Sequence, residues 1–159
     1  MIEMTLVGVR VELPTNHPIV LLKESGGERY LPIWIGAPEA TAIAFALQGV
    51  ETPRPMTHDL LRDILAATDI EVERIVIDDL VDQTFYATIK MHANGRSAEV
   101  SSRPSDAIAL AVRLGTPIYA ADDVLEQAGI ELRDEEETEV EKFREFLDQV
   151  SPEDFAQGG

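Results

Sequence analysis

Apolar and polar positions alternate from the start of the chain. Thr5, Val7, Val9, Val11 and Leu13 keep a two-residue period, which predicts a strand. A turn at Pro14-Thr15-Asn16 leads to a second strand at Ile19–Lys23, and Gly26-Gly27 closes a hairpin into a third at Arg29–Ile35. The period then changes. Pro38 stands in what would be a helix's first turn, and Glu39–Gln48 runs through Ala-Thr-Ala-Ile-Ala-Phe-Ala-Leu to a stop at Gly49. So much alanine predicts a helix packed closely on more than one side. Thr57 reads as the cap of a second helix reaching about Ala67, with Leu60, Leu61, Ile64 and Leu65 as its apolar stripe. Strands are expected at Val72–Ile77 and Phe85–His92, where Asn94-Gly95 suits a type I′ turn into a return strand at Ala98–Ser101.

Pro104 and Ser105 open a third, alanine-rich helix over Asp106–Leu114, ended by Gly115. A short strand at Pro117–Ala120 and a small helix from a cap at Asp122 to Gly129 complete the body. Runs of strands followed by runs of helices point to the α+β class with mixed or antiparallel sheets. Ala42-Ile43-Ala44-Phe45-Ala46-Leu47 echoes Ala107-Ile108-Ala109-Leu110-Ala111-Val112, each after three strand-like segments, which suggests an internal duplication. Residues 1–130 therefore read as one domain and 131–159 as an acidic linker with a C-terminal helical segment. In that segment Val140, Phe143, Phe146, Leu147 and Val150 share a helical face, and Phe155 follows the turn Ser151-Pro152-Glu153-Asp154. A helix at about Glu137–Val150, docked on the body or on a neighbouring subunit, is expected.

Charge changes the picture. The 159 residues carry 13 Lys and Arg against 30 Asp and Glu, a net of −17. Residues 122–159 hold 14 acids and 3 bases, and residues 1–121 hold 16 acids and 10 bases. Bulk charge therefore disfavours nucleic acid as a partner, and any grip on a phosphate must be local. The acidic end should itself weaken non-specific nucleic-acid binding. There is no cysteine, so disulfides, thiolate metal sites and cysteine nucleophiles are excluded. Met1-Ile2-Glu3 lacks a basic leader start, and the apolar run Ala40–Leu47 is too short to span a bilayer. A cytoplasmic protein with no membrane association is expected.

The chain has no Gly-x-Gly-x-x-Gly, phosphate-loop lysine, Gly-x-Ser-x-Gly or His-Glu-x-x-His motif. It does place Arg54-Pro55-Met56-Thr57-His58-Asp59 and Arg103-Pro104-Ser105-Asp106 at two helix starts. Exposed amides and the helix dipole favour anions there, and arginine adds a forked donor. Capping with ion pairing explains the same residues: Thr57 and Ser105 would satisfy amides while the aspartates complement the dipole. His58 and Asp59 could also hold a metal or activate water, with Glu39 or Asp106 as partner. Asp78, Asp79 and Asp82 form an acidic group that suits either a cation or a solvated turn. Trp34 could stack on a base, but between Ile33 and Ile35 it reads rather as core or interface packing. His17 and His92 have no partner that the sequence names.

As a set, Leu31-Pro32-Ile33-Trp34-Ile35-Gly36 with Glu39-Ala40, Arg54-Pro55-Met56-Thr57-His58-Asp59, Phe85-Tyr86-Ala87 and Arg103-Pro104-Ser105-Asp106-Ala107-Ile108-Ala109-Leu110-Ala111 closely resemble the bacterial bifunctional nuclease family. The resemblance covers about Met1 to Ala128, and the C-terminal portion is similar to the extension of actinobacterial-type members. It implies an α+β domain that self-associates as a homo-oligomer and cleaves DNA and RNA. It points to Glu39, Arg54, Thr57, His58, Asp59, Arg103, Ser105 and Asp106 as the motif positions. Where family members often carry an aspartate just before the Arg-Pro-Ser-Asp motif, this chain has Ser101 and Ser102.

Two functions follow as expectations. One is a nuclease in which His58, Asp59, Asp106 and Glu39 do the chemistry, with Mg²⁺ or Mn²⁺ as candidate cofactors. Arg54, Thr57, Arg103 and Ser105 would hold the substrate in a cleft formed by the two Arg-Pro helix starts. The other is a non-enzymatic regulatory or stress-linked module that binds an anionic small molecule or a protein partner.

Overall fold

The computed structural model describes residues 1–12 and 16–131. The segment from 132 to the end, with its expected helix at Glu137–Val150, and residues 13–15 lie outside the described residues.

Two antiparallel meanders form the framework. The first is β1 (Ile2–Glu12), β2 (His17–Glu24) and β3 (Arg29–Trp34), followed by α1 (Ala37–Leu47) and α2 (Thr57–Ala67). The second is β4 (Glu71–Val81), β5 (Thr84–Ala93) and β6 (Arg96–Ser102), followed by α3 (Pro104–Leu114). Then β7 (Ile118–Ala120) enters between them, antiparallel to β1 and parallel to β4. It joins both meanders into one eight-stranded mixed sheet in the order β6-β5-β4-β7-β1-β2-β3-β8. After α4 (Asp122–Ala128), β8 (Ile130–Glu131) adds a last rung on β3 that periodicity is too short to register. The fold is α+β.

Each meander carries an alanine-rich helix at the corresponding place. Helix α1 packs on β1 and β2, α3 packs on β4 and β5, and the two helices pack on each other. Their small side chains make that approach possible: Ala40, Ala42 and Ala44 on one helix and Ala107, Ala109 and Ala111 on the other are all buried. Leu22, Leu31, Ile43, Ile75, Ile77, Ile108 and Leu125 are the largest fully buried side chains of this core. Burying each contributes roughly 1.5–3 kcal/mol.

Several local expectations are corrected. The N-cap of α2 is Met56, whose amide is satisfied by the Asp59 carboxylate at 3.1 Å, and Thr57 is the first helical residue. Likewise Arg103 caps α3 and Ala121 caps α4, with no side-chain cap bond from Ser105 or Asp122. Ser105 is instead buried in the first turn, the one buried polar residue among those described. The stripe of α2 does not face the core: Leu60, Leu61 and Ile64 are exposed, and no residue of the helix is buried. The expected acidic group dissolves too, because Asp78 and Asp79 lie within β4 while Asp82 sits with Gln83 in a two-residue turn. That turn has φ of 49° and 65°, both positive like the 53° and 75° of Asn94-Gly95, so both hairpins use the type I′ geometry that matches strand twist. Trp34 is not in the core; it is 56% exposed.

Candidate active site

Three helix starts converge at one end of the sheet, and their first-turn side chains form a single polar cluster. Arg103, at the cap of α3, is its centre. Its Nε and Nη2 donate to Asp106 Oδ2 and Oδ1 at 2.8 and 3.1 Å, a forked pair within one helical turn. Its Nη1 donates to Glu39 Oε1 at 2.8 Å, across to the first turn of α1. Glu39 can reach because residue 36 is glycine: a Cβ there would collide with the Glu39 carboxylate. The first turn of α2 completes the cluster, with His58 Nε2 at 3.0 Å from Asp106 Oδ1.

This arrangement has definite electrostatics. Burial opposes ionisation of Asp106, but the Arg103 and His58 bonds outweigh it and hold the carboxyl below the usual aspartate range. The Arg103 guanidinium is pushed up by Asp106 first and Glu39 second. Even so it is 63% exposed, and three of its five N–H groups are used, which leaves two for a further acceptor. His58 is the reverse, with a side chain only 11% exposed. An ionised Asp106 can only accept, so it pairs with a His58 that donates from Nε2–H, the tautomer whose lone pair is on Nδ1.

The remaining motif residues fall elsewhere. Asp59 turns to the inner side, where Oδ1 accepts from Arg113 Nε at 2.8 Å and Oδ2 from the Met56 amide. Burial raises its pKa, but Arg113 and the amide bring it below the usual range. Arg113 also donates to the Ala109 carbonyl at 2.8 Å and to the Ala42 carbonyl at 3.1 Å, at 5% exposure. It thus ties α1, α2 and α3 together, and sequence reasoning missed it. A base in the last turn of a helix reads as a complement to the dipole, which hid this role. Thr57 and Arg54 are exposed, and no ion pair to Arg54 exists among the described residues.

Beside the cluster lies a cleft of about 370 Å³, lined by Trp34 at the end of β3 and Gly36 just after it, Thr84 and Phe85 at the β4–β5 hairpin, and Arg103 and Ser105. No three His, Asp or Glu side chains converge as metal ligands among the described residues. Glu39 and Asp106, the carboxylates best placed for a divalent ion, are both spent on the guanidinium between them. Nor is any described helix long and apolar enough to cross a membrane.

Comparison with known proteins bears on this geometry. An uncharacterized protein of Mycobacterium tuberculosis is 52% identical over 162 aligned residues, covering 96% of this chain and 97% of that protein. Bifunctional nuclease 1 of Arabidopsis thaliana is 29% identical over 106 residues, covering 64% of this chain and 33% of the plant protein. Bifunctional nuclease 2 of Oryza sativa subsp. japonica is 29% identical over 112 residues, 67% of this chain and 34% of its own length. The model of the bifunctional nuclease domain matches residues 20–133, a span that starts within β2, runs through β8 and holds every member of the polar cluster. This chain belongs to the bifunctional nuclease domain family.

Proposed function

We propose that this chain hydrolyses phosphodiester bonds of DNA and RNA at the cluster of Arg103, Asp106, His58 and Glu39. The observation that carries the reading is the shared carboxylate: Asp106 binds the Arg103 guanidinium and the His58 ring at once. A hydrolytic phosphoryl transfer needs a donor for the charge growing on the phosphate oxygens and a base for the attacking water. The two remaining N–H groups of Arg103 supply the first. Nδ1 of His58 supplies the second, with Asp106 fixing the tautomer and steadying the imidazolium. Water adds to phosphorus, the P–O bond to the leaving sugar oxygen breaks, and the proton taken by His58 goes to that oxygen. Glu39 keeps Arg103 in place, and Asp59 anchors the start of α2 from which His58 projects. Arg54, exposed ahead of α2, suits a neighbouring phosphate of the same strand. A Mg²⁺ or Mn²⁺ ion would have to displace Arg103 from its carboxylates, so no step is assigned to one.

Local cationic donors also reconcile the activity with a net charge of −17. The test compares wild type with Arg103→Ala and Arg103→Lys on labelled DNA and RNA oligonucleotides, all purified in parallel. Losing the donor should lower cleavage about 100-fold or more, and lysine should recover only part because it lacks the fork. Equal cleavage by all three proteins would assign the activity to a contaminant and leave the non-enzymatic reading.

A further inference from the structure

Trp34 is the largest apolar side chain of the protein and its only tryptophan, yet it stands 56% exposed at the end of β3. Its neighbours Leu31 and Ile33 are buried, so the exposure does not come from a poorly packed strand. The indole lines the same cleft as Arg103, with Phe85 and Pro104 on the wall. His17 stands perpendicular to it, ring centroids 6.0 Å apart and planes at 80°. A perpendicular ring does not stack on the indole, and the 56% exposure leaves much of the indole surface to solvent. An exposed aromatic ring beside a guanidinium with donors to spare is the pairing that holds a base and its phosphate.

Resting on the reading of the cluster as a phosphodiesterase, we infer that Trp34 is a stacking platform for an unpaired base whose phosphate lies on Arg103. The substrate is therefore a single strand or a frayed end, not an intact duplex. In a duplex both faces of a base are covered by its neighbours, and only an unstacked base can offer one to a side chain. The cleft agrees, since about 370 Å³ is at the small end of ligand pockets and suits one nucleotide. Stacking is indifferent to base identity and sugar, so the same platform serves DNA and RNA.

The experiment uses the whole 159-residue chain and two independent readouts. The lone indole reports binding directly: titration with single-stranded oligothymidylate should quench its fluorescence to saturation, while a blunt duplex of equal length should not. Cleavage kinetics on the single strand then separate binding from chemistry. Trp34→Ala should raise KM about tenfold or more with kcat within about twofold, and Trp34→Phe should restore most of the affinity. Quenching by the single strand, together with weaker binding of a fluorescein-labelled single strand by Trp34→Ala read by anisotropy, supports the platform even where no cleavage is seen. In that case the phosphodiesterase reading fails alone. Unchanged KM in Trp34→Ala, or equal quenching by the duplex, overturns the platform while leaving the cluster's chemistry standing.

Discussion

His58 and Asp106, 48 residues apart, meet at 3.0 Å between Nε2 and Oδ1 where the starts of α2 and α3 converge. A second polar link, Asp59 to Arg113 at 2.8 Å, lies one residue away on the same helix. Helix α2 packs on α3 without fully burying any of its residues, and these two links fix its first turn there. The orientation of His58 therefore depends on Asp59.

Removing that anchor should be costly. Arg113 is 5% exposed, and Asp59→Ala leaves its charge without a counterion, though two carbonyls still accept from it. We expect a loss of about 3 kcal/mol, the low end for breaking a buried pair, measured by urea denaturation. Amide exchange in α2 should accelerate more than in β4. A loss under about 0.5 kcal/mol, typical of a neutral surface site, would show that the pair does not anchor the helix.

Acid should weaken the protein through the same residues. Asp59 and Asp106 both titrate below the ordinary aspartate value when folded. A depressed carboxyl stabilises the fold above the unfolded pKa, and that stabilisation is lost as pH falls through the folded value. Melting temperature should therefore be flat from neutrality to about pH 5 and fall steeply below about pH 4, the ordinary aspartate range. Asp59→Asn should start lower and fall less steeply. An identical slope in wild type and Asp59→Asn would contradict this assignment.

Much of the fold was legible because its signals are local. Alternation marked the strands, and Pro38, Pro104, Gly49 and Gly115 bracketed the alanine-rich helices. The turn at Asp82-Gln83 was not legible, since glutamine at a φ of 65° is no turn signal and the strand partners impose the geometry. The stripe of α2 misled because amphipathicity says that a helix has an apolar face without saying what covers it. At the site, the two Arg-Pro helix starts stood out in the sequence, but the pairings did not. His58 and Asp59 are adjacent in the chain yet reach opposite ends of α3, one to Asp106 in its first turn and one to Arg113 in its last. Such choices are made by tertiary packing, which no spacing encodes.

The acidic run should act as an electrostatic brake. Asp134, Glu135, Glu136 and Glu137 are consecutive, and replacing them with Asn and Gln takes the net charge from −17 to −13. DNA binding measured by anisotropy should tighten in low salt, and the gain should vanish as the Debye length shrinks below about 10 Å. Equal affinity for both proteins at every salt concentration would show that the run does not face the substrate.

We propose that His58 and Asp106 act as one catalytic unit. A double-mutant cycle on kcat/KM for a single-stranded oligonucleotide reads that coupling, with His58→Ala, Asp106→Asn and the double variant beside wild type. If the histidine moves the proton and the aspartate sets its tautomer, each single change should cost about 10²–10⁴-fold. The double change should then cost little more than the worse single one. Full additivity of the two losses, or wild-type cleavage by either single variant, would contradict the account.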